Sequence, residues 1–312
     1  MKKKIIIRIS NEIGNQMFMF ASAFSISKKM DRTLFIDNES AFLSKKNISK
    51  YGLNNFNIKT EIAGKENKFT DFLGYFKRKF LKRTDFLRSK KCFYIEPKNK
   101  DKISSFDLNF LDQKFSDNLF IEGHFESEKY FIDYKDEILS QFNFIDSKMY
   151  MLNPFYSKIL DGVSVGICLR QNRFSEGKGK NNHLNKIKSE KYKNEQINYI
   201  NKSVNEIKKK LDNPKFYLWS NDLKNLDKQK FEFDFLPVDV SNYDENLDKR
   251  LLSLFLLKSC KHFIVIPSTF NWWGAWLSNN KNKIIMRPSE DFFSDFKVNN
   301  TDFWPSNWIK IT

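Results

Sequence analysis

The feature of this sequence that most constrains its fold is the alternation of short β-branched runs with longer amphipathic stretches. In the first half, Ile5–Ile9 and Thr33–Asp37 have the character of strands, and Asn15–Met30 between them has that of a helix. The second half is predicted to contain four strands and three helices: strands at Val163–Leu169, Phe216–Ser220, Phe263–Ile266 and Lys283–Met286, and helices at Glu190–Leu211, Leu247–Ser259 and Trp272–Asn279. Parallel strands joined by crossover helices have this order, so the sequence predicts an α/β fold.

The chain is long enough for two domains, since it has 312 residues of which 40% are hydrophobic. Asn153, Pro154 and Gly162 mark the best junction, which predicts domains at 1–155 and 156–312. Residues 64–102 are rich in Lys, Phe and Arg without a clear period, and are interpreted as an excursion of the first domain. Two doubly wound domains facing each other would form a cleft where the carboxyl ends of their strands converge.

The charge of the chain is strongly positive, with 54 Lys and Arg against 38 Asp and Glu and a formal net charge of +16. Such an excess favours anionic partners, namely nucleic acid, a phospholipid surface or phosphorylated small molecules. A coding sequence rich in A and T would also enrich lysine, so the excess alone does not decide. The basic residues are scattered instead of forming one strip studded with aromatics, and no nucleic-acid partner is expected.

The cysteines and the N-terminus indicate a cytoplasmic protein. Cys92, Cys168 and Cys260 are widely spaced, which predicts neither a disulfide framework nor a thiolate zinc site. The apolar run after the first lysines is short and ends in polar residues, as in a buried strand and unlike a signal peptide. No stretch approaches the roughly 20 apolar residues of a membrane span. A peripheral contact with the inner face of the plasma membrane stays open.

Two motifs place polar groups at the start of a helix that follows a strand. In the first, Gly14, Asn15 and Gln16 would direct amides toward the positive end of a helix dipole, although a plain turn and helix cap would look the same. In the second, Ser268, Thr269 and Phe270 begin a helix whose hydroxyls and free amides could hold a phosphate without a metal. The tryptophans that follow, Trp272, Trp273 and Trp276, are interpreted as core.

Two other strands end in charged or amide side chains. Arg170 and Arg173 follow a buried strand, where their planar forks suit a diphosphate, and Glu176 lies in the same loop. The alternative is a solvated basic loop. A neighbouring strand ends in Ser220, Asn221 and Asp222, which would bring a carboxylate to the cleft.

A cluster in the first half contains Glu122, His124, Glu126 and Glu128, which could supply a general base or metal ligands. The three histidines are too few and too scattered to support zinc, and no Asp-x-Asp pair occurs in the chain. No cofactor and no metal are therefore expected.

Taken in order, these segments resemble the bacterial α-1,2-fucosyltransferase family, known as glycosyltransferase family 11. The family motifs G-G-L-G-N-Q-M-F, G-Y-F-Q-S-E-K-Y-F, H-x-R-R-x-D, F-S-D-D and S-S-F-S-W-W-G-A-W-L have as counterparts EIGNQMF, GHFESEKYF, CLRQNRF, WSND and PSTFNWWGAWL. The resemblance spans almost the whole chain. It implies the GT-B fold, two Rossmann-like domains facing across a cleft, with the donor held mainly by the C-terminal domain and the acceptor by the N-terminal one.

This chain departs from the family pattern at several positions. Asn11 and Glu12 replace glycines, Cys168 replaces a histidine, and Gln171 and Arg173 replace an arginine and an aspartate. Arg170 keeps the first arginine. The resemblance implies that it holds the donor β-phosphate together with Ser268 or Thr269, and that Ser253 stands where a carboxylate reads guanine.

The function that the resemblance implies is inverting, metal-independent transfer of fucose from GDP-fucose to a galactose-terminated glycan, such as a precursor of a surface polysaccharide or lipopolysaccharide. Arg170 and Arg173 would stabilise the departing diphosphate, and Glu176 or Glu126 would deprotonate the acceptor hydroxyl. Two alternatives stay open: a hexosyl- or rhamnosyltransferase on the same scaffold, and a basic nucleic-acid-binding protein.

Overall fold

The computed structural model describes residues 2–43, 49–98, 105–176, 179–296 and 301–312. The chain divides into two compact units, one of residues 1–145 with 301–305 and the other of residues 146–300 with 306–312. The boundary between the units lies between 145 and 146, whereas the sequence predicts it after 155. Residues after 145 belong to the second unit because Tyr150 and Tyr156 pack their rings against its Phe255, at 5.4 and 5.6 Å.

The first unit is built on a parallel sheet of five strands in the order β3-β2-β1-β5-β4. Its elements run β1 (Lys4–Arg8), α1 (Ile13–Lys29), β2 (Thr33–Asp37), β3 (Glu61–Ile62), α2 (Phe72–Thr84), β4 (Lys91–Ile95), β5 (Phe115–Glu122) and α3 (Lys135–Gln141). Helix α1 is buried over almost its whole length, and its Phe18 packs against Phe131 and Phe303. It is the central helix of this core.

The second unit contains a parallel sheet of six strands in the order β11-β10-β9-β6-β7-β8. Its elements run α4 (Ser147–Met151), α5 (Pro154–Leu160), β6 (Ser164–Leu169), α6 (His183–Lys208), β7 (Lys215–Ser220), β8 (Leu236–Pro237), α7 (Lys249–Lys258), β9 (His262–Ile264), α8 (Thr269–Trp276), β10 (Ile285–Pro288) and β11 (Ile309–Ile311). Strand β6 is buried at every position, as a central parallel strand must be.

The predicted α/β class is confirmed, and each strand and helix assigned from the sequence overlaps an element of the same type. Residues 64–102, interpreted from the sequence as an excursion of the first domain, contain α2 and the sheet strand β4. Of these, residues 99–102 lie outside the described part of the chain. The tryptophans of α8 are core, since Trp272 and Trp273 are fully buried. No helix in the described ranges is both long and apolar enough to cross a membrane.

Candidate active site

Each sheet has one place where the strand order reverses. In the first unit β1 lies between β2 and β5, and in the second β6 lies between β7 and β9. Connections leave such a strand toward both edges of the sheet, which opens a crevice beyond the carboxyl ends where ligands bind in open α/β sheets. Most of the residues singled out from the sequence follow β1, β5, β6, β7 or β9, and therefore lie at the carboxyl edges of the two sheets.

Amide side chains hold the ends of β6 and β7 together. Asn221 accepts a hydrogen bond from the backbone nitrogen of Gln171 at 2.8 Å and donates to its carbonyl at 3.1 Å. The buried Gln171 side chain donates in turn to Ser220 Oγ at 3.0 Å and to the Asp222 carbonyl at 2.5 Å. Ser220, Asn221 and Asp222 thus fix the geometry of this edge, while their predicted contact with the donor stays a prediction.

Arg170 is presented from a fixed backbone. Its nitrogen and carbonyl both bond to the side chain of Gln196 on α6, each at 2.9 Å, and Gln196 is fully buried. The Arg170 side chain is 46% exposed and pairs with Glu176. The other oxygen of the Glu176 carboxylate accepts from Asn221 Nδ2 at 2.8 Å. Glu176 therefore bridges Arg170 and Asn221 at the carboxyl edge of the second sheet, and each of its carboxylate oxygens accepts a hydrogen bond.

Arg173 joins the loop after β6 to the loop after β9. Its Nη1 donates to the hydroxyl of Tyr192 at 2.5 Å and to the carbonyl of Pro267 at 3.1 Å. The guanidinium carbon also lies 4.8 Å from the centre of the Tyr192 ring. Burial raises the pKa of Tyr192 against the opposing effect of the Arg173 charge, so the phenol is neutral and accepts the bond.

The start of α8 follows β9 in the same unit, directly after the Pro267 carbonyl to which Arg173 donates. Ser268 caps the helix through its carbonyl, which accepts from the nitrogen of Trp272 at 2.9 Å. Ser268, Thr269 and Phe270 are all partly exposed, as a phosphate cradle requires. The turn before them is held by Asn271, whose fully buried side chain accepts from the nitrogen of Ile266 at 2.7 Å.

At the carboxyl edge of the first sheet, a second polar group forms around His124. Asn11 Nδ2 lies 2.6 Å from His124 Nε2, and His124 Nδ1 lies 3.4 Å from the Glu126 carboxylate. Since the Asn11 amide donates to Nε2, the neutral ring carries its proton on Nδ1, facing Glu126. Asn11 has φ 64°, a left-handed conformation that asparagine tolerates where the family has glycine.

The turn that carries His124 is held by a residue that the sequence analysis missed. Glu96, which follows β4 and is 3% exposed, accepts from the nitrogens of His124 at 2.8 Å and Phe125 at 2.9 Å. Gly123 sits against it so closely that a Cβ there would come within 2.3 Å of the Glu96 Cβ. The sequence offers little signal for Glu96, because it lies in the segment 64–102, whose lack of a clear period predicts no strand before it.

Gly14, Asn15 and Gln16 lie in the first turn of α1. Gln16 is buried, and its amide donates to the carbonyls of Asn11 and Lys50 at 2.7 and 2.8 Å and accepts from the nitrogen of Gly52 at 2.9 Å. Gln16 therefore ties residues 50–52 to the start of α1. The contact of these three residues with a donor stays a prediction. In the described ranges, no group of three or more His, Cys, Asp or Glu side chains is placed to hold a metal ion.

The fold is shared with solved glycosyltransferases. Fucosyltransferase NodZ from Bradyrhizobium is 16% identical, with a TM-score of 0.53 over 88% of this chain and 92% of that one. A variant of Arabidopsis thaliana FUT1 in complex with GDP is 14% identical, with a TM-score of 0.56 over 95% of this chain and 73% of that one. Two parallel α/β sheets of this kind define the GT-B type that the sequence predicted.

The family follows from the sequence comparison. The model of glycosyl transferase family 11 matches residues 1–312, so the chain belongs to that family and is a glycosyltransferase. An Escherichia coli α-1,2-colitosyltransferase is 23% identical over 98% of both chains. The E. coli O-antigen biosynthesis glycosyltransferase WbnK is also 23% identical, over 97% of this chain and 99% of its own.

Proposed function

We propose that this glycosyltransferase moves fucose from GDP-fucose, with inversion, to a hydroxyl of a glycan, O2 of a terminal galactose being the foremost candidate. The observation that carries the proposal is the placement of Arg170 and the start of α8 after β6 and β9, the two strands at the switch point of the second sheet. A diphosphate fits there because arginine and helix amides both stabilise negative charge. A solved NodZ structure, similar at a TM-score of 0.52, was soaked with GDP-fucose.

The departing GDP is stabilised by Arg170, with Arg173 fixing the loop around it. Charge accumulates on the diphosphate as the sugar leaves through an oxocarbenium-like state, so a donor aimed at that charge acts most strongly in the transition state. Because the backbone of Arg170 is held by Gln196, little reorganisation accompanies the reaction. No metal enters this proposal, since protein cations and amides supply the positive charge.

The acceptor hydroxyl is deprotonated by the Glu126 carboxylate of the first unit, which lies beside His124. Glu176, the other candidate base, has both carboxylate oxygens occupied by Arg170 and Asn221, which suits a role in positioning Arg170. His124 is 37% exposed at its side chain and Glu126 is 24% exposed, so both are accessible. Asn11 donates to Nε2 of His124, so the ring turns its Nδ1 proton toward Glu126 and orients that carboxylate, which takes the proton of the acceptor.

A second candidate donor is GDP-colitose, favoured by the relative named as an α-1,2-colitosyltransferase. Colitose is fucose without the hydroxyl at carbon 3, so the two donors would use the same diphosphate site and the same inversion. A pocket that hydrogen-bonds the 3-hydroxyl would reject colitose strongly, whereas an apolar pocket would discriminate weakly. The donor preference therefore reports the polarity of the sugar pocket.

A donor panel tests these proposals. The enzyme is incubated with a galactose-terminated glycan and GDP-fucose, GDP-colitose, GDP-mannose or UDP-galactose, with and without EDTA, and products are identified by mass spectrometry and NMR. We expect an α-1,2-fucosylated product whose yield EDTA does not change. Preference for GDP-colitose would select the second candidate, turnover of UDP-galactose alone would refute both, and loss of activity in EDTA with rescue by manganese would refute metal independence.

A further inference from the structure

Helix α2 is oriented with basic residues inward and apolar residues outward. Arg78 and Lys82, one turn apart, face the sheet and bind Glu122 at the end of β5, with Arg78 Nε and Lys82 Nζ at 2.6 and 2.7 Å from its carboxylate. None of the residues of α2 is buried. An amphipathic helix on a soluble protein ordinarily turns its apolar stripe to the core, so α2 is attached through charge while its aromatic side faces outward.

The outward side exposes large aromatic rings. Phe72, Phe76 and Phe80 are 76, 49 and 65% exposed and follow one another at intervals of four residues, which places them on one ridge of the helix. Phe72 and Phe76 pack edge to face at 4.7 Å, so the ridge is continuous. The segment directly after α2 extends this apolar area with Phe86 and Leu87, which are 79 and 72% exposed. Contiguous exposed apolar area of this kind marks an interaction surface.

Basic residues flank the ridge on both sides. At about 100° per residue, Lys77 and Lys79 fall on opposite flanks of the phenylalanines, and Arg83 falls among them. Within the described ranges these three side chains form no ion pair. The nearby acids face elsewhere, because Asp71 caps α2 through the nitrogen of Gly74 and Asp85 accepts from the nitrogens of Cys92 and Phe93. The surface of Phe72, Phe76, Phe80, Lys77, Lys79 and Arg83, here called the α2 surface, is therefore both apolar and positive.

We propose that the α2 surface docks on an anionic phospholipid membrane. Rings on one ridge can enter the boundary between headgroups and acyl chains, and the flanking bases can extend to the phosphates on either side. A second copy of this chain fits less well, because it would bring two positive surfaces together in a chain whose net charge is already +16. This inference is independent of which sugar donor the enzyme uses.

Vesicle flotation with the purified full-length protein tests the proposal. Vesicles of phosphatidylcholine alone are compared with vesicles that contain a quarter phosphatidylglycerol, in low and in physiological salt. We expect flotation with the anionic vesicles only, weakening as salt screens the charges. Because no other protein is present, binding in this assay reports lipid and not an acidic partner protein.

Two sets of variants locate the contact. Lys77→Glu, Lys79→Glu and Arg83→Glu combined should weaken partition to anionic vesicles by roughly a hundredfold or more. Phe72→Ser, Phe76→Ser and Phe80→Ser combined should weaken it at least about tenfold, since apolar burial adds to the binding. The matched control reverses an equal charge on the exposed lysines Lys208, Lys209 and Lys210 at the end of α6, and should float like the wild type.

Melting temperature and mass in solution complete the test. Both α2 sets should melt near the wild-type temperature, because the replaced side chains are exposed. The proposal is overturned if the wild type does not float with anionic vesicles, or if the α2 variants float as well as the control. It is equally overturned if the α2 variants change the oligomeric mass while vesicle binding is absent, an outcome that would assign the surface to a protein contact.

Discussion

The end of β6 is held by amide side chains, so the charged side chain of Arg170, which pairs with Glu176, is not needed to hold the strand end. Gln171, Gln196 and Asn221 direct their amides to backbone or to neighbouring side chains, whereas Arg170 stands partly exposed at the edge. A site built on strand ends with such support is more precise than one on loops, because its groups are already oriented before the ligand arrives. At the scale of single residues, the chemistry of this site therefore depends on uncharged neighbours.

Arg170→Ala should lower turnover by about 10²–10³, or roughly 2.7–4 kcal/mol, the loss associated with removing one donor from an oxyanion site. Arg170→Lys keeps the charge but loses the fork, so it should recover only part of the activity. Arg173→Ala should also reduce turnover, since the loop after β6 loses its bonds to Tyr192 and Pro267. Steady-state kinetics and melting curves measure these effects, with the exposed Arg88→Ala as the control. Near-normal turnover of Arg170→Ala at saturating donor would disprove the phosphate role.

Glu126→Gln keeps the shape but removes the carboxylate that takes the proton, so turnover should fall by about 10²–10⁴ with KM little changed. His124→Ala removes the ring that orients this carboxylate, so a smaller loss of kcat is expected. Glu176→Gln should instead act as a positioning change, with a larger effect on donor KM. If His124→Ala abolished activity and Glu126→Gln retained it, the imidazole would be the base.

Sequence alone singled out residues at strand ends but not two of the side chains that support them. Arg170, Ser268 and Glu126 stand at strand ends or in family motifs, where a local pattern marks them. Glu96 and Gln196 act across 28 and 26 positions of the chain, and nothing in their local sequence reveals such partners. Long-range hydrogen bonds depend on the assembled sheet, so only the structure identifies these two.

At the scale of elements, the sequence predicted the central strands and helices of the second unit and β1, α1 and β2 of the first, but not α2, β4 or β5. Helix α2 faces the sheet with Arg78 and Lys82, and its phenylalanine rings are exposed. Its sequence therefore lacks the usual pattern of an apolar face turned to the core. The pairing of β4 with β5 was also not predicted. It has a register shift between Lys91 and Phe93, so the strands do not alternate regularly along their length. Both elements depend on contacts with residues outside the segment.

The attachment of α2 should depend on pH. Burial alone would raise the pKa of Glu122, but the hydrogen bonds from Arg78 and Lys82 outweigh it and the pKa is lowered. A lowered carboxyl pKa adds stability above the unfolded value, about 4.3, and that stability is lost as the pH falls through the folded pKa. Glu122→Gln should therefore destabilise the protein by about 2 kcal/mol at pH 7 and progressively less in acid.

Urea unfolding at pH 7 and at pH 3.5 measures this difference. The control is Glu137→Gln, which removes a half-exposed pair with Lys28 and should change the free energy of unfolding little at either pH. An equal loss of stability for Glu122→Gln at both pH values would show that the carboxylate charge contributes nothing to holding α2.

At the scale of the whole molecule, the two units are predicted to have different ligands. If the second unit holds the donor, GDP should slow hydrogen exchange in Val163–Phe174 and Ile266–Trp276 more than in Ile5–Phe20. The physical reason is that the phosphates order the loops after β6 and β9, whereas β1 and α1 gain fewer contacts. Exchange measured by mass spectrometry with and without GDP makes the comparison. Protection limited to the first unit would reverse the assignment of the two halves.

Residues 301–305 belong to the first unit although almost the whole second unit precedes them in the chain. There Phe303 packs on Phe18, and Asp302 binds Lys129 at 2.5 Å and the nitrogen of Phe106 at 2.8 Å. During synthesis, the 155 residues from 146 to 300 are added before these contacts can form. At typical ribosomal rates that interval lasts roughly 10–30 s. During it the contact of Phe303 with Phe18 on α1 is absent, so this side of α1 is accessible to chaperones. The half of the protein that is begun first is thus completed only near the end of synthesis.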